Sequence, residues 1–263
     1  MIPLPQILSM VTPFIDIHTH HPIATTASEP VCLLQCYGIH PWWFDKHPET
    51  EFLEQQLRLL EAMLNENRIV AIGETGIDHL HKDTLPLQIK AFEQQILLSE
   101  HFRKPLILHN VKGTQEILEL HQKHHPKQTW IIHGFNGNIH DVQQLIQRDI
   151  LLSVGESLFH ENRKIINSIK SIPLDHLFLE TDMSDHRIED VYQRAAELLG
   201  LSVERLKDHF FITFIRRVGF GALSLEEDLS ALEMRNTASP KVLLMAPVFG
   251  SRMDRGNSNE SVF

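Results

Sequence analysis

Six ionisable residues stand at the ends of apolar runs: His18 and His20 in FIDIHTHH, Glu74 in IGETGID, His109 in PLILHN, His133 in IIHGF and Asp182 in LETD. Neutral imidazoles and carboxylates are the groups that hold a divalent cation around an open position, where a bound water becomes acidic enough to hydrolyse. In the first stretch Asp16, His18 and His20 alternate with Ile15, Ile17 and Thr19, so on a strand the polar set lines one face and the other set the opposite face. Each residue alone has a plainer role: a wet strand face for His18 and His20, helix caps for Glu74 and Asp182, core imidazoles bonded to a carbonyl for His109 and His133. Taken together they point elsewhere, because burying six such groups at strand ends without a compensating cation costs several kcal/mol apiece.

The elements that must position them alternate. Strand-like runs CLLQCYGIH, RIVAIGETGID, KPLILHN, TWIIHGF, DILLSVGES and HLFLETD are rich in Ile, Leu and Val, as strands buried on both faces are. Between them lie stripes at helical spacing: Phe52, Leu53, Leu57, Leu60 and Leu64; Ile89, Phe92, Ile96 and Leu97; Ile117 and Leu118; Val142, Leu145 and Ile146. Alternation of this kind predicts a parallel sheet with right-handed crossovers. Nearly every run ends in His40, Glu74, His109, His133 or Asp182, as a ring of strand C-termini around one site requires, so an α/β barrel is expected rather than an open sheet. Only nineteen residues separate His20 from His40, room for a loop and one strand, so one βα unit near the N-terminus is expected to be shortened or missing.

The chain has 263 residues, 42% of them hydrophobic, which is enough for one barrel or two smaller domains. A formal charge of −10 argues against a broad basic surface for nucleic acid. Cys32 and Cys36 are the only cysteines; on one strand they stand roughly 13 Å apart, too far for a disulfide, and reduced thiols are expected. The opening MIPLPQILSM lacks a basic leader and no long apolar run follows, so a cytoplasmic protein with no membrane contact is expected.

The ordered set HxH, GxHP, GExGxD, PxxxH, HxFxG and LETD, from about Ile15 to Phe220, resembles the TatD-related hydrolases, metal-dependent TIM-barrel enzymes of the amidohydrolase superfamily. The resemblance implies two divalent metal ions, with His18 and His20 on one, His109 and His133 on the other, Glu74 bridging and Asp182 completing the first. It also implies hydrolysis of ester bonds, often phosphodiesters in DNA, so a phosphodiesterase or deoxyribonuclease acting on single-stranded DNA is the expected activity. Two ions would polarise the scissile group and hold a hydroxide for in-line attack, with Asp182 as acceptor of its proton. The cation is zinc, nickel, manganese or magnesium on donor chemistry alone.

Departures from the pattern bear on substrate. Val111 stands where relatives carry an arginine, with Lys112 next to it as the remaining cation, and ETDMSD replaces the usual ETDAP. His40 in GIHPWW either meets substrate or shapes the turn before Pro41. Lys112 and His40 are the substrate-binding candidates. Trp42 and Trp43 either stack a base or pack the turn. Asp78 is expected to steady the Glu74 loop, His79 and His81 to face solvent, and His121, His124 and His125 to sit at a helix end. Two rivals stay open: cleavage of a small carboxyl ester, lactone or amide, and a degenerate barrel that binds metal or a partner without turnover. Residues 1–220 are expected to form the barrel and 221–263 an extension, partly disordered, in which KVLLMAPVF has no assigned role.

Overall fold

Apolar runs of two to eight residues become strands and the amphipathic stretches between them become helices. The computed structural model describes residues 12–20, 31–160 and 163–219. The strands are β1 Phe14–Asp16, β2 Val31–Leu33, β3 Cys36–Tyr37, β4 Ala71–Asp78, β5 Leu106–Val111, β6 Trp130–Ile132, β7 Leu151–Val154 and β8 Leu177–Leu179. Helix α1 (Thr50–Asn65) joins β3 to β4, α2 (Leu85–Phe102) β4 to β5, α3 (Thr114–His124) β5 to β6, α4 (Ile139–Ile146) β6 to β7, and α5 (Arg163–Ile169) β7 to β8; α6 (Ile188–Leu199) and α7 (Val203–Arg217) follow.

All strand pairs are parallel: β1 pairs with β2, and β3 to β8 form a continuous sheet in chain order. Only Leu34 and Gln35 separate β2 from β3, and the Gln35 carbonyl already accepts the Val70 N–H at 3.0 Å. At the other edge β8 meets β1: Ile17 N–H donates to the Leu179 carbonyl at 3.2 Å, and Asp182 N–H to the His18 carbonyl at 2.9 Å. The sheet therefore closes into a barrel. Phe14 stands opposite Val31 and Asp16 opposite Leu33, so no strand intervenes between β1 and β2. With β2 and β3 acting as one broken stave, the described residues form seven staves, where a full barrel has eight.

Packing explains the helices. On α1, Leu60, Met63 and Leu64 are buried in the main core, while Leu53 is buried in a smaller cluster with Ile39, Phe44 and Ala91. Asn138 and Asp141 form a capping box at the start of α4, satisfying N–H groups the helix cannot pair itself. β5 to β8 carry deeply buried apolar residues, Leu106 to Leu108, Trp130 to Ile132, Leu151 to Leu152 and Leu177 to Leu179 among them. Two expectations need correction. Cys32 and Cys36, both free, lie on two strands rather than one, because the chain changes partner from β1 to β4 between them. Leu97 is 49% exposed, outside the buried stripe of α2, whose inner face carries Gln88 and Gln95 beside Phe92 and Ile96. The extension 221–263, the opening MIPLPQILSM and His21 lie outside the described residues. Among the described residues no helix is long and apolar enough to cross a membrane.

Candidate metal centre

The site is built where the strands end. β4 and β5 are in register at Ile72↔Leu106 and again at Thr75↔Leu108, so β4 carries one extra residue across Gly73 and Glu74. Such a bulge re-aims a side chain, here the buried carboxylate of Glu74. Gly76 lets the strands approach: at φ 137°, a Cβ there would stand 2.1 Å from the His109 carbonyl oxygen.

The two carboxylate oxygens of Glu74 face different imidazole sets. Oε1 lies 2.7 Å from His20 Nε2 and 3.2 Å from His18 Nε2; Asp182 Oδ1 closes this set at 3.6 Å from His20 Nε2 and 3.8 Å from His18 Nε2. Oε2 lies 2.6 Å from His133 Nε2, 3.3 Å from His40 Nε2 and 3.5 Å from His109 Nδ1. Asp182 is held at the seam of β8 and β1, where His20 N–H donates to its carbonyl at 3.0 Å. The next residue inward, Thr181, gives its N–H and hydroxyl to the buried Asp16 carboxyl at 3.0 and 2.7 Å. Asp16 therefore supports the seam.

Hydrogen bonding determines which ring nitrogens are available. His109 Nε2 lies 3.0 Å from Asp78 Oδ2; donating there leaves the Nδ1 lone pair aimed into the cluster, the arrangement by which a carboxylate orients a metal-ligating imidazole. His40 Nδ1 accepts the Trp42 N–H at 3.1 Å, so its proton sits on Nε2 and points at Glu74. His40 thus shapes the turn before Pro41 and also faces the cluster. Neither nitrogen of His133 has a hydrogen-bond partner, although Nε2 is close to Glu74. A buried lone pair near a carboxylate but off the line of a hydrogen bond fits two ligands aimed at one point between them.

Burial raises the Glu74 carboxyl, but the His133, His109 and His18 imidazoles outweigh it and hold the group well below the usual carboxylate range. Burial also pushes His133 and His40 down, favouring neutral rings. For His109 burial works the same way, but Glu74 and Asp78 prevail and raise it. Ligands about 2.1 Å from a tetrahedral ion stand roughly 3.4 Å apart, close to the separations around Oε1. The donor set is compatible with metal binding: His18, His20 and Glu74 form one group, His18, His133 and Asp182 a second, His40, Glu74 and His109 a third.

All six strand-end candidates and His40 meet in this cluster. Lys112 does not join its ion pairs; it is exposed, one residue past β5. His79 and His81, expected in solvent, are half-buried and paired with Glu116 and Asp45. Asp78 has a more definite role than loop support, since it receives His109, the Trp42 indole N–H at 2.6 Å and the Leu80 N–H. Glu180 was missed: burial pushes its carboxyl up to about 8, and it accepts the N–H of Gly134, the residue after His133. Its place in LETD, one turn of alternation before Asp182, is the signal that marks it.

Comparison with known proteins bears on the family and the fold. The family model described as TatD related DNase matches residues 5–216. The chain is 31% identical over 156 residues to the metal-dependent hydrolase YjjV of Escherichia coli K12, covering 58% of this chain and 59% of that protein. It is 29% identical over 163 residues to a fission yeast (Schizosaccharomyces pombe) protein named deoxyribonuclease Tat-D, covering 57% and 51%, and 30% identical over 152 residues to the human 3'-5' RNA nuclease TATDN2, covering 56% and 19%. The chain thus spans little more than half the length of the first curated relatives it matches. The crystal structure of YjjV from E. coli K12 superposes with a TM-score of 0.66 at 20% identity, covering 78% of this chain and 98% of that one, which shows a shared fold.

Proposed function

The chain belongs to the TatD related DNase family, and on that premise we propose that it is a two-metal hydrolase of phosphodiester bonds, with single-stranded DNA the expected substrate. The observation that carries this reading is the division of Glu74: Oε1 faces His18, His20 and Asp182 while Oε2 faces His109 and His133. A carboxylate with two oxygens can serve two cations at once, which an imidazole cannot do as well. His18, His20 and Asp182 would hold one divalent ion, His109 and His133 the other, and Glu74 both.

When bound, such ions supply Lewis acidity, polarising the phosphoryl oxygens and acidifying water. The protein's own residues do the rest. Asp182 Oδ1, on the half-exposed side of the cluster, accepts the proton of the attacking water. Asp78 holds the His109 ring with Nε2–H outward. His40, with its proton on Nε2, offers a donor to an anionic oxygen near Glu74. The names of the yeast and human relatives support a nucleic-acid substrate, and a net charge of −10 favours a local contact over a broad basic surface. The barrel through Phe220 is the catalytic unit in this reading, and a cytoplasmic setting keeps Cys32 and Cys36 reduced.

One observation favours a second substrate class. Val111 leaves no arginine beside the β5 histidine and Lys112 stays outside the cluster, so the site lacks an evident phosphate clamp and a small carboxyl ester would also fit it. A single panel separates these: protein reconstituted with zinc, manganese, nickel or magnesium, assayed on single-stranded DNA, bis(4-nitrophenyl) phosphate and 4-nitrophenyl acetate, beside Glu74→Gln and Asp182→Asn. The phosphodiesters are expected to be cleaved, Glu74→Gln to lose bound metal and about 10³-fold in rate, and Asp182→Asn to lose rate more than metal. Cleavage of the carboxyl ester alone selects the second class. Metal bound without turnover on any substrate, or full activity in Glu74→Gln, overturns the proposal.

A further inference from the structure

Trp42 and Trp43 are adjacent in sequence and opposite in surroundings. The Trp43 ring packs on Tyr37 and Phe52, with centroids 6.1 and 6.3 Å away. Trp42 is 42% exposed, yet it borders the Oε2 side of the metal cluster: its ring centroid is 4.8 Å from that of His40 and 5.6 Å from that of His109. Both imidazoles meet the indole at 77°, so neither lies flat against it. His81 borders it at 5.7 Å, tilted by 39° rather than stacked. The indole N–H is spent on Asp78 Oδ2 at 2.6 Å.

These facts constrain what Trp42 does. A side chain of this size left open to water beside buried imidazoles gives up apolar burial that Trp43, half-buried one residue later, obtains in larger part. Its single donor is engaged, which fixes the ring and leaves a purely aromatic surface. A rigid, exposed π-surface against the wall of a reactive centre is a stacking platform. We infer that Trp42 forms a subsite for an aromatic ring carried by the substrate, a nucleobase or aryl group attached to the phosphate that sits at Glu74. The inference rests on the proposed hydrolysis at that cluster and adds a preference: esters with a planar ring next to the scissile phosphate are favoured over those without one.

The test uses Trp42→Phe, which keeps a ring and loses the bond to Asp78, and Trp42→Leu, which loses both. Binding of dAMP and of 2-deoxyribose 5-phosphate to metal-loaded protein is measured by calorimetry. The unsubstituted protein and Trp42→Phe are expected to prefer dAMP by about tenfold, a modest value for base stacking on an aromatic ring, and Trp42→Leu to bind the two alike. In parallel, the ratio of kcat/KM for bis(4-nitrophenyl) phosphate to that for methyl 4-nitrophenyl phosphate is expected to fall several-fold in Trp42→Leu only, because the leaving group is common to both esters.

Equal or undetectable affinities in the unsubstituted protein overturn the subsite. So does equal damage in Trp42→Phe and Trp42→Leu, which would make Trp42 a positioning residue acting through Asp78 on His109. Preference for dAMP without turnover of any ester leaves the subsite standing and removes the hydrolase; turnover without preference does the reverse.

Discussion

The two walls of the cluster are held in different ways. On the β8–β1 side the proposed ligands are placed by backbone: Thr19 and Asp182 form a parallel bridge, the Asp182 N–H donates to the His18 carbonyl, and the side chains of His20 and Asp182 are 45% and 33% exposed. On the β4–β6 side they are placed by side chains in a closed environment: Asp78 takes His109, Gln88 Oε1 takes the Asp78 N–H at 2.8 Å, and Gln95 donates to Thr75 Oγ1 at 2.6 Å while accepting the Ile39 N–H at 2.7 Å. The contrast teaches that one wall has side chains open to solvent, while the other is a fixed support whose accuracy depends on buried polar partners. A network of this second kind is costly to leave half-satisfied.

The sharpest way to break that contrast is Asp78→Asn. The amide keeps the shape and an oxygen for one donor but removes the charge that orients His109, and loss of such an outer partner commonly costs 10- to 100-fold in metal affinity or activity. Titration of ion-free protein with zinc is expected to show two equivalents, one weakened by about that factor and the other unchanged. If both weaken together, the walls are not independent and Glu74 transmits the change between them.

The same contrast explains what was legible in the sequence. His18, His20, His109, His133 and Asp182 are readable because each ends an apolar run, and strand ends converge in a barrel whatever the loops do. The nineteen-residue gap after His20 is readable as a shortened or missing unit because a parallel crossover needs a minimum length. The fixed wall is not readable. Gln88 and Gln95 sit on a helix whose polar residues look solvent-facing, and their burial depends on Asp78, Ile39 and Thr75 from other elements. Leu97 was misplaced for the same reason: with two glutamines turned inward, the buried face of α2 is not the most apolar one. The break between β2 and β3 reflects a change of pairing partner, which side-chain periodicity does not record.

Behind the open wall, β1 is tied to α6 by one side chain. The buried Tyr192 hydroxyl accepts the Ile15 N–H and donates to the Ile15 carbonyl, both at 3.0 Å. Tyr192→Phe leaves two buried main-chain groups unpaired at about 1–3 kcal/mol in all, which corresponds to roughly 2–12 °C in Tm for a chain of this size. Calorimetry is expected to find that loss with the fixed wall's zinc equivalent unaltered. An unchanged Tm would show that the seam holds β1 without help from α6.

Behind the fixed wall the corresponding tie is on the surface, and a smaller effect is expected. Glu93 on α2 receives the Lys123 ammonium, and the His124 ring at 2.7 Å, both from the last turn of α3. The Lys123 and His124 contacts hold its carboxyl below the usual range. A carboxyl whose folded value lies below its unfolded one contributes stability that is present above about pH 4.5 and lost as pH falls through the folded value. Because the ammonium is exposed and solvent screens the pair, that contribution stays below about 1 kcal/mol. Urea midpoints of the protein and of Glu93→Gln are therefore expected to differ slightly at pH 7, to converge as pH drops from 5 to 3, and to differ less in 1 M salt, where the Debye length is about 3 Å. A gap that persists at pH 3 would mean that Glu93 supports α2 and α3 through packing of its stem, and that the fixed wall owes nothing to charge at its outer surface.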